Sequence, residues 1–320
     1  MRTALVTTCY REASAIGAFL DAVLAQTRRP DEIIIVDAGS DDGTVERIRE
    51  RISAGAPVRL IVEPSACRSR GRNLAVAEST GEVIVVTDVG ALPRRDWFER
   101  IVAPLEADPS IDVVAGYYEA EGESLWERAV AAAIVPVADE VDPETFLPSA
   151  RSIAFRREVW ARVGGYPEEA RFNEDTPFDL ALKALGARFV FEPSAVVRWL
   201  PEASVGRLFR QFFRYARGDA QCRLWFRHYA KAYIGLGLGL AIIVAAALWW
   251  WPLLLLLPLL GVAYWARHAA RAYKRTRSLA AAALAPAANL IVDLAHLIGY
   301  TRGLLDRRHG RANANPTGSH

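Results

Sequence analysis

Val83-Ile84-Val85-Val86-Thr87-Asp88-Val89-Gly90 is the stretch that decides the fold of this chain. Four branched apolar residues in a row, introduced by Gly81, read as a strand buried on both faces of a parallel sheet. The carboxylate of Asp88 stands where that strand ends. In open α/β sheets the ligand crevice lies beyond the carboxyl ends of the strands, so an acid there faces a cleft and is placed to hold a metal or a sugar.

The neighbouring sequence repeats this logic. Ala4 to Thr8 reads as a first strand, and Ile16 to Gln26 carries Ile16, Phe19, Leu20, Val23 and Leu24 at helical spacing. Glu32-Ile33-Ile34-Ile35-Val36-Asp37 is a second buried strand, which makes a right-handed βαβ unit. The polar turn Ala38 to Thr44 caps a helix from Val45 to Arg51, Val58 to Glu63 supplies a third strand, and Arg72 to Glu78 another helix. Further on, Glu174-Asp175 sits in a polar turn before a helix from Phe178 to Leu185. The pattern predicts an α/β fold with a mostly parallel sheet. Gly-x-Gly-x-x-Gly does not follow the first strand and Gly-x-x-x-x-Gly-Lys is absent, so neither a dinucleotide-binding dehydrogenase nor a P-loop enzyme is supported.

Lys and Arg number 39 against 37 Asp and Glu, and this near balance gives no argument for a nucleic-acid partner. Cys9, Cys67 and Cys222 lie far apart, which argues against a disulfide framework or a zinc site and for a reducing compartment. The first strand follows the N-terminus with no basic-then-apolar leader, so the first domain is expected to stay in the cytoplasm.

An ordered set of motifs carries a resemblance. It comprises Thr8-Cys9-Tyr10-Arg11-Glu12, Val36-Asp37-Ala38-Gly39-Ser40 with Asp42-Gly43-Thr44, Arg72-Asn73, and Asp88-Val89-Gly90. It continues with Gly164-Gly165-Tyr166 before Glu174-Asp175 and ends with Gln211-Phe212-Phe213-Arg214-Tyr215. Over residues 3 to 219 the chain resembles family 2 glycosyltransferases of the GT-A fold. That resemblance implies a nucleotide-sugar donor, an inverting outcome and a base at Asp175. Two positions depart from it: the family's metal motif is Asp-x-Asp, whose second acid is Gly90 here, and Ala38 stands where relatives carry a second Asp. Metal dependence on Mg²⁺ or Mn²⁺ is still expected at Asp88, because such an ion keeps waters and takes substrate phosphates as ligands.

Glycosyl transfer requires neutralisation of the leaving diphosphate and removal of a proton from the acceptor hydroxyl. Asp88, through the cation, meets the first need. Asp175 is the candidate base, since a carboxylate beside another, Glu174, has its pKa raised. Thr8, Tyr10, Glu12 and Asp37 are the candidate donor-binding residues, with Tyr10 stacking on the base and Asp37 accepting hydrogen bonds from the nucleoside. Arg70 and Arg72 suit phosphate or sugar oxygens. Plainer readings stand beside these: Asp37 as a turn former, Asp88 as a strand terminator, Glu174-Asp175 as a helix cap, Arg70 and Arg72 as solvated or paired, and Tyr10 as core.

Gln211, Arg214 and Tyr215 are candidate acceptor-side residues by the resemblance. The same stretch also reads as a basic amphipathic helix resting on lipid, with Leu208, Phe209, Phe212 and Phe213 against Arg207, Arg210, Arg214 and Arg217. Ala232 to Ala266 is free of charge, and as one helix it would measure about 52 Å against a hydrocarbon core of about 30 Å. A hairpin is therefore predicted, turning at Trp249-Trp250-Trp251-Pro252, with Tyr233 and Trp265 at the near interface and a close helix contact at Gly235 and Gly239. Arg223, Arg227 and Lys231 before it, and Arg267, Arg271, Lys274, Arg275 and Arg277 after it, place both flanks on the cytoplasmic side. Leu279 to Tyr300 is a third apolar segment, interrupted by Asp293 and His296, which could pair, and bent by Pro286. Crossing there would put Arg302, Arg307 and Arg308 outside, so it reads as an interfacial or re-entrant helix.

The expected division is a GT-A catalytic domain over 1–200, amphipathic interfacial helices over 201–231, a transmembrane hairpin over 232–266, and a basic segment, interfacial helix and disordered tail over 267–320. The function expected is an inverting glycosyltransferase in the inner membrane. It would move a sugar from a nucleotide donor to a hydroxyl of a lipid-linked saccharide or glycolipid at the cytoplasmic face. A polyprenyl-phosphate glycosyltransferase and a non-catalytic nucleotide-sugar-binding assembly component are the alternatives.

Overall fold

A computed structural model of the chain describes residues 1–170 and 172–308; the expected disordered tail lies outside them. In chain order the elements are β1 (Thr3–Cys9), α1 (Ile16–Leu24), β2 (Glu32–Asp37), α2 (Thr44–Ser53), β3 (Val58–Val62), α3 (Arg68–Glu78), β4 (Val83–Val86), β5 (Ala91–Pro93), α4 (Trp97–Ala107) and β6 (Val113–Ala120). There follow α5 (Leu125–Ile134), β7 (Ile153–Arg156), α6 (Arg157–Val163), α7 (Asp175–Ala184), β8 (Phe189–Trp199), α8 (Val205–Gln221), α9 (Phe226–Leu248), α10 (Leu256–Thr276) and α11 (Leu279–Arg308). Two compact units result, one of residues 1–120 and 136–200, the other of 121–135 and 201 onward. The excursion at 121–135 has one sequence signal, a capping box in which Ser124 and Glu127 satisfy each other's backbone amides.

The first unit is built on an eight-stranded sheet in the order β3-β2-β1-β4-β7-β6-β8-β5. β1 to β4, β6 and β8 point one way, and β7 and β5 run against them, so the sheet is mixed with a parallel majority. The apolar runs in β1, β2 and β4 are continuous because both faces are covered. Leu5, Ile35 and Val85 face α1 and α4 residues such as Phe19, Trp97 and Ile101, while Val6, Ile34 and Val86 join Val76, Phe155, Tyr166 and Phe178 on the other side. α3 begins at Arg68, four residues before the predicted start, because Cys67 Sγ accepts the Arg70 amide and caps it. α7 begins at Asp175, so the expected polar turn at Glu174-Asp175 is the helix's own N-terminus.

The second unit contains α5 and α8 to α11. α9, α10 with the short 3₁₀ turn before it, and α11 are each long and apolar enough to cross a membrane by length and composition. The break between α9 and α10 falls at Trp249 to Leu255, the place where a turn was predicted. The expected close contact at Gly235 and Gly239 does not form: a Cβ at either would meet nothing within 4 Å, since that face of α9 is turned outward. Asp293 and His296 go to different partners. Asp293 accepts from the Tyr264 hydroxyl at 2.8 Å, and His296 packs against the rings of Phe212 and Tyr229.

Close approach in the first unit is tightest at Gly116, where the β6–β8 register shifts. A Cβ there would lie 2.0 Å from Ser152 Oγ and 2.7 Å from the Ala195 carbonyl oxygen. Ser152 Oγ accepts from the buried Trp97 indole N–H at 2.8 Å and donates to that same carbonyl. Gly116→Ala is therefore expected to dislodge Ser152, orphan the Trp97 N–H and cost about 1–3 kcal/mol, read as a lowered unfolding temperature in detergent.

Candidate active site

Strand register assembles one edge of the sheet. Cys9 lies opposite Asp37 and Val6 opposite Val86, so the loops after β1, β2 and β4 leave at one level, bringing Thr8, Tyr10, Glu12, Asp37 and Asp88 to the same edge. β7 runs the other way with Ile153 opposite Val86, so the residues just before it, Ala150 and Arg151, arrive at that edge too. The first residue of α7 docks beside them: the Ala150 amide donates to Asp175 Oδ2 at 3.3 Å, and the Thr176 amide donates to Oδ1 at 3.0 Å.

Arg72 is the hub. Only 1% exposed, it donates from Nη1 to Glu174 Oε1 at 2.5 Å and from Nη2 to Asp88 Oδ1 at 2.9 Å, with its guanidinium over the Tyr166 ring at 5.4 Å. It was expected to approach donor oxygens; enclosure makes it instead the clamp between two carboxylates. The next residue, Asn73, holds the Gly164-Gly165-Tyr166 loop. Its Nδ2 donates to the Tyr166 carbonyl and its Oδ1 accepts from the Tyr166 amide, both at 2.8 Å. Gly165 has a φ of +83°, and a Cβ there would lie 2.6 Å from Asn73 Oδ1, so the tight turn requires glycine.

The carboxyls of the site titrate in opposite directions. Burial works to raise Asp88, but Arg72, Arg151 and Arg68 overcome it and hold the carboxyl below its usual range. Asp175 is pushed up, first by burial and then by the Glu174 charge, against the opposing pull of Arg72 and Arg151. Glu12 is raised by burial and then by Asp88, which puts its carboxyl within that electrostatic neighbourhood.

Other predicted residues lie as follows. Asp37 is fully buried, and its oxygens accept from the Gly39 and Ser40 amides, the Ser40 hydroxyl and the Cys9 thiol, so in this structure it braces the turn after β2. Thr8 is half-buried against Gly71 of α3. Tyr10 is half-buried with the Arg11 guanidinium 5.3 Å from its ring centre. Arg70 is exposed and paired with Glu63 at 2.7 Å, which turns it to an outer face of α3. Gln211, Arg214 and Tyr215 belong to α8 in the second unit, where Gln211 Nε2 donates to the Tyr215 hydroxyl at 3.1 Å and Arg214 is exposed.

Three residues at this edge escape a motif search. Arg151 packs its guanidinium over Trp199 at 4.9 Å and Tyr118 at 5.3 Å while acting electrostatically on Asp88 and Asp175. Arg68, the first residue of α3, acts on Asp88 and Glu12. Asp179, one turn after Asp175, is fully buried with neither oxygen hydrogen-bonded, and burial followed by the Asp175 charge pushes its carboxyl well up.

Among the described residues, no group of three His, Cys, Asp or Glu side chains is arranged to hold a metal ion. One oxygen of Asp88 is engaged by Arg72, yet its side chain is 36% exposed and its carboxyl is held below the usual range, and a Cβ at Gly90 would meet nothing within 4 Å. These residues fit a divalent ion only as a single-carboxylate site completed by water and by phosphate oxygens brought by a ligand.

Comparison with known proteins matches residues 4–192 to the model of the glycosyl transferase family 2. The chain is 27% identical over 318 residues to the succinoglycan biosynthesis protein ExoA of Rhizobium meliloti, covering 95% of each. It is 25% identical over 218 residues to the glycosyltransferase AglE of Haloferax volcanii, covering 66% of this chain and 71% of that one. Among solved structures, the mannosyltransferase PcManGT of Pyrobaculum calidifontis, in complex with GDP-Man and Mn²⁺, superimposes with a TM-score of 0.67 at 23% identity. That superposition covers 92% of this chain and 87% of that one, and it supports the fold.

Two outcomes are expected. Arg72→Met leaves Glu174 buried and uncompensated and costs about 3–5 kcal/mol in denaturant unfolding. Arg72→Lys does not restore it, because one ammonium lacks the fork that reaches both carboxylates. At Asp179 the native state keeps a proton to higher pH than the unfolded chain does, so stability falls as pH climbs from the ordinary aspartate value of 3.8 through the raised one. Asp179→Asn removes that dependence, and the melting-temperature difference between variant and wild type is expected to shift in the variant's favour from pH 5 to pH 8.

Proposed function

Because the chain belongs to glycosyl transferase family 2, we propose that it transfers a sugar, with inversion, from a nucleotide donor to a hydroxyl of a membrane-held saccharide or glycolipid at the cytoplasmic face. The observation that carries this reading is one buried arginine bonded to Asp88, whose carboxyl is held low, and to Glu174, the neighbour of Asp175, whose carboxyl is pushed up. Similarity over nearly the whole chain to a protein named for succinoglycan biosynthesis supports a saccharide acceptor. The apolar helices of the second unit and their basic flanks support an inner-membrane anchor.

Asp175 accepts the acceptor's proton as its oxygen bonds to the anomeric carbon from the face opposite the leaving group, while the bond to the diphosphate oxygen breaks. An inverting single displacement needs one such base, and a carboxyl lifted above the usual range suits the task. Thr8, Tyr10 and Glu12 would line the nucleoside end, with Asp37 shaping the turn beneath it. Asp88 would hold Mg²⁺ or Mn²⁺ together with the donor's phosphates, and the ion would neutralise charge on the departing diphosphate. Arg68 and Arg151 would add fixed positive charge at the same place, and Arg72 would act as a positioning residue. Gln211, Arg214 and Tyr215 would serve the acceptor side. Catalysis would reside in residues 1–200 and anchoring in 232–266.

The test is nucleoside diphosphate release from a panel of UDP-, GDP- and dTDP-sugars by the detergent-solubilised protein with membrane lipid extract. Asp175→Asn is expected to lower kcat by about 10²–10⁴-fold while donor binding persists; an unchanged kcat overturns the assignment. The kcat of the wild type is expected to fall as pH drops through the raised Asp175 value, above 3.8. Arg151→Ala removes a charge that lowers that value, so the acid limb moves to higher pH.

A further inference from the structure

α11 is a 30-residue helix that length and composition allow to cross a membrane. Its packing within the second unit argues otherwise. Near its start, Ala282 and Ala285 meet Ala272 from the end of α10 and Ala132 of α5. Near its end, Tyr300 stacks on Tyr229 at the start of α9 with ring centres 4.1 Å apart, and its hydroxyl donates to the Leu224 carbonyl at 3.2 Å. α11 thus runs from one flank of the α9–α10 hairpin to the other. Those flanks carry Arg223, Arg227 and Lys231 on one side and Arg271, Lys274, Arg275 and Arg277 on the other, so the positive-inside rule sets both on one side of a bilayer. A helix joining two points on the same side does not traverse it.

Its two faces agree. The inner face is small and closely held: a Cβ at Gly299 would lie 2.4 Å from the Phe213 carbonyl oxygen, and one at Gly303 would lie 2.5 Å from that of Arg217. Val292 and Ala288 close on Leu208 and Val130, so α8 lies alongside α11 with Leu208 near 288–292 and Arg217 near 303. Asp306, buried there, accepts from Arg217 at 2.6 Å and pairs with Arg302 at 3.2 Å. Were α11 to cross, α8 with Arg207, Arg210 and Arg214 exposed would be carried into hydrocarbon with it, and Asp293 would sit mid-helix at the bilayer centre. The opposite face presents Leu290, Leu294, Ile298 and Leu305, all exposed and close to one line along the helix.

We infer that α11 lies along the membrane surface, its Leu290-Leu294-Ile298-Leu305 face seated at the boundary between headgroups and acyl chains, with the exposed Arg210 and Arg214 of α8 available to anionic headgroups. This goes beyond the transferase reading and does not depend on it. The surface it creates is an in-plane platform on the side of the bilayer that holds both hairpin flanks.

The test uses full-length protein with Cys67 and Cys222 replaced by serine, reconstituted in phosphatidylcholine–phosphatidylglycerol vesicles. A nitroxide is attached in turn to Leu290→Cys, Ile298→Cys and Leu305→Cys, and its depth is read from collisions with oxygen and with a water-soluble nickel complex. Residues 290 and 305 are about 22 Å apart along the helix. The expected result is three shallow depths, about 5–10 Å below the headgroups, agreeing within a few ångströms. Depths that change steadily by about 20 Å overturn the inference in favour of crossing. Labels shielded from lipid and water alike overturn it in favour of a protein covering this face, such as a second copy of the chain. A reporter fused after Arg308 supports the inference if it lies on the same side as the hairpin flanks, and overturns it if it lies on the other.

Discussion

The site depends on one buried guanidinium. Arg72 reaches Asp88, 16 residues on, and Glu174, 102 residues on, and so fastens the end of β4 to the start of α7. A buried cation is costly to desolvate, and two carboxylates with good geometry are what make its burial tolerable. The constraint is mutual, because each acid would be unfavourable there without the arginine. A consequence reaches the neighbouring acid: Glu174 is held in place beside Asp175, whose carboxyl is lifted by burial and then by Glu174. Arg72 pulls both carboxyls down, but at Asp175 burial and the Glu174 charge outweigh that pull, and two carboxyls set apart in this way can take different chemical roles.

Much of this was legible in the sequence. Continuous apolar runs marked β1, β2 and β4 because a strand covered on both faces has no polar phase, and β2 has the same limits in the structure as in the sequence reading. Parallel strands end where ligands bind, so acids following strands drew attention to Asp37 and Asp88. The same rule hid Arg151. β7 is antiparallel, and the residue that reaches the edge precedes the strand instead of following it. Arg72 was legible as a motif residue but not as a clamp, since its partners are set by tertiary approach. Asp179 looked like an ordinary helical acid. Only the packing around α7 shows that it is buried with neither oxygen hydrogen-bonded to the protein.

The apolar helices of the second unit show the converse. Hydropathy sees an apolar segment in α11 and nothing of what its faces touch. The small residues at 281, 285, 288, 295, 299 and 303 follow one face together with Val292, and the large ones at 290, 294, 298 and 305 follow the opposite face, a division by size that a hydropathy average erases. Size matters because glycine and alanine let α8 approach to backbone contact, while leucine and isoleucine fill a softer surface. The same reasoning separates α11 from α9, whose glycines at 235, 237 and 239 touch nothing.

The charges at this edge of the sheet would also couple the two halves of the proposed reaction. Glu12, Asp88, Glu174 and Asp175 face Arg68, Arg72 and Arg151, and both terminal nitrogens of the buried Arg72 are engaged by its two carboxylate partners. Under the proposed reaction, Arg68 and Arg151 would be the cations of this set that act on a diphosphate, Arg151 from its seat over Trp199 and Tyr118. Arg151 also lowers Asp175 in the resting site. A diphosphate drawn to Arg151 would offset that influence and add negative charge of its own, and both effects raise the affinity of Asp175 for a proton. Donor binding would then strengthen the base as the acceptor hydroxyl must be deprotonated, which orders the events electrostatically without any movement of the backbone.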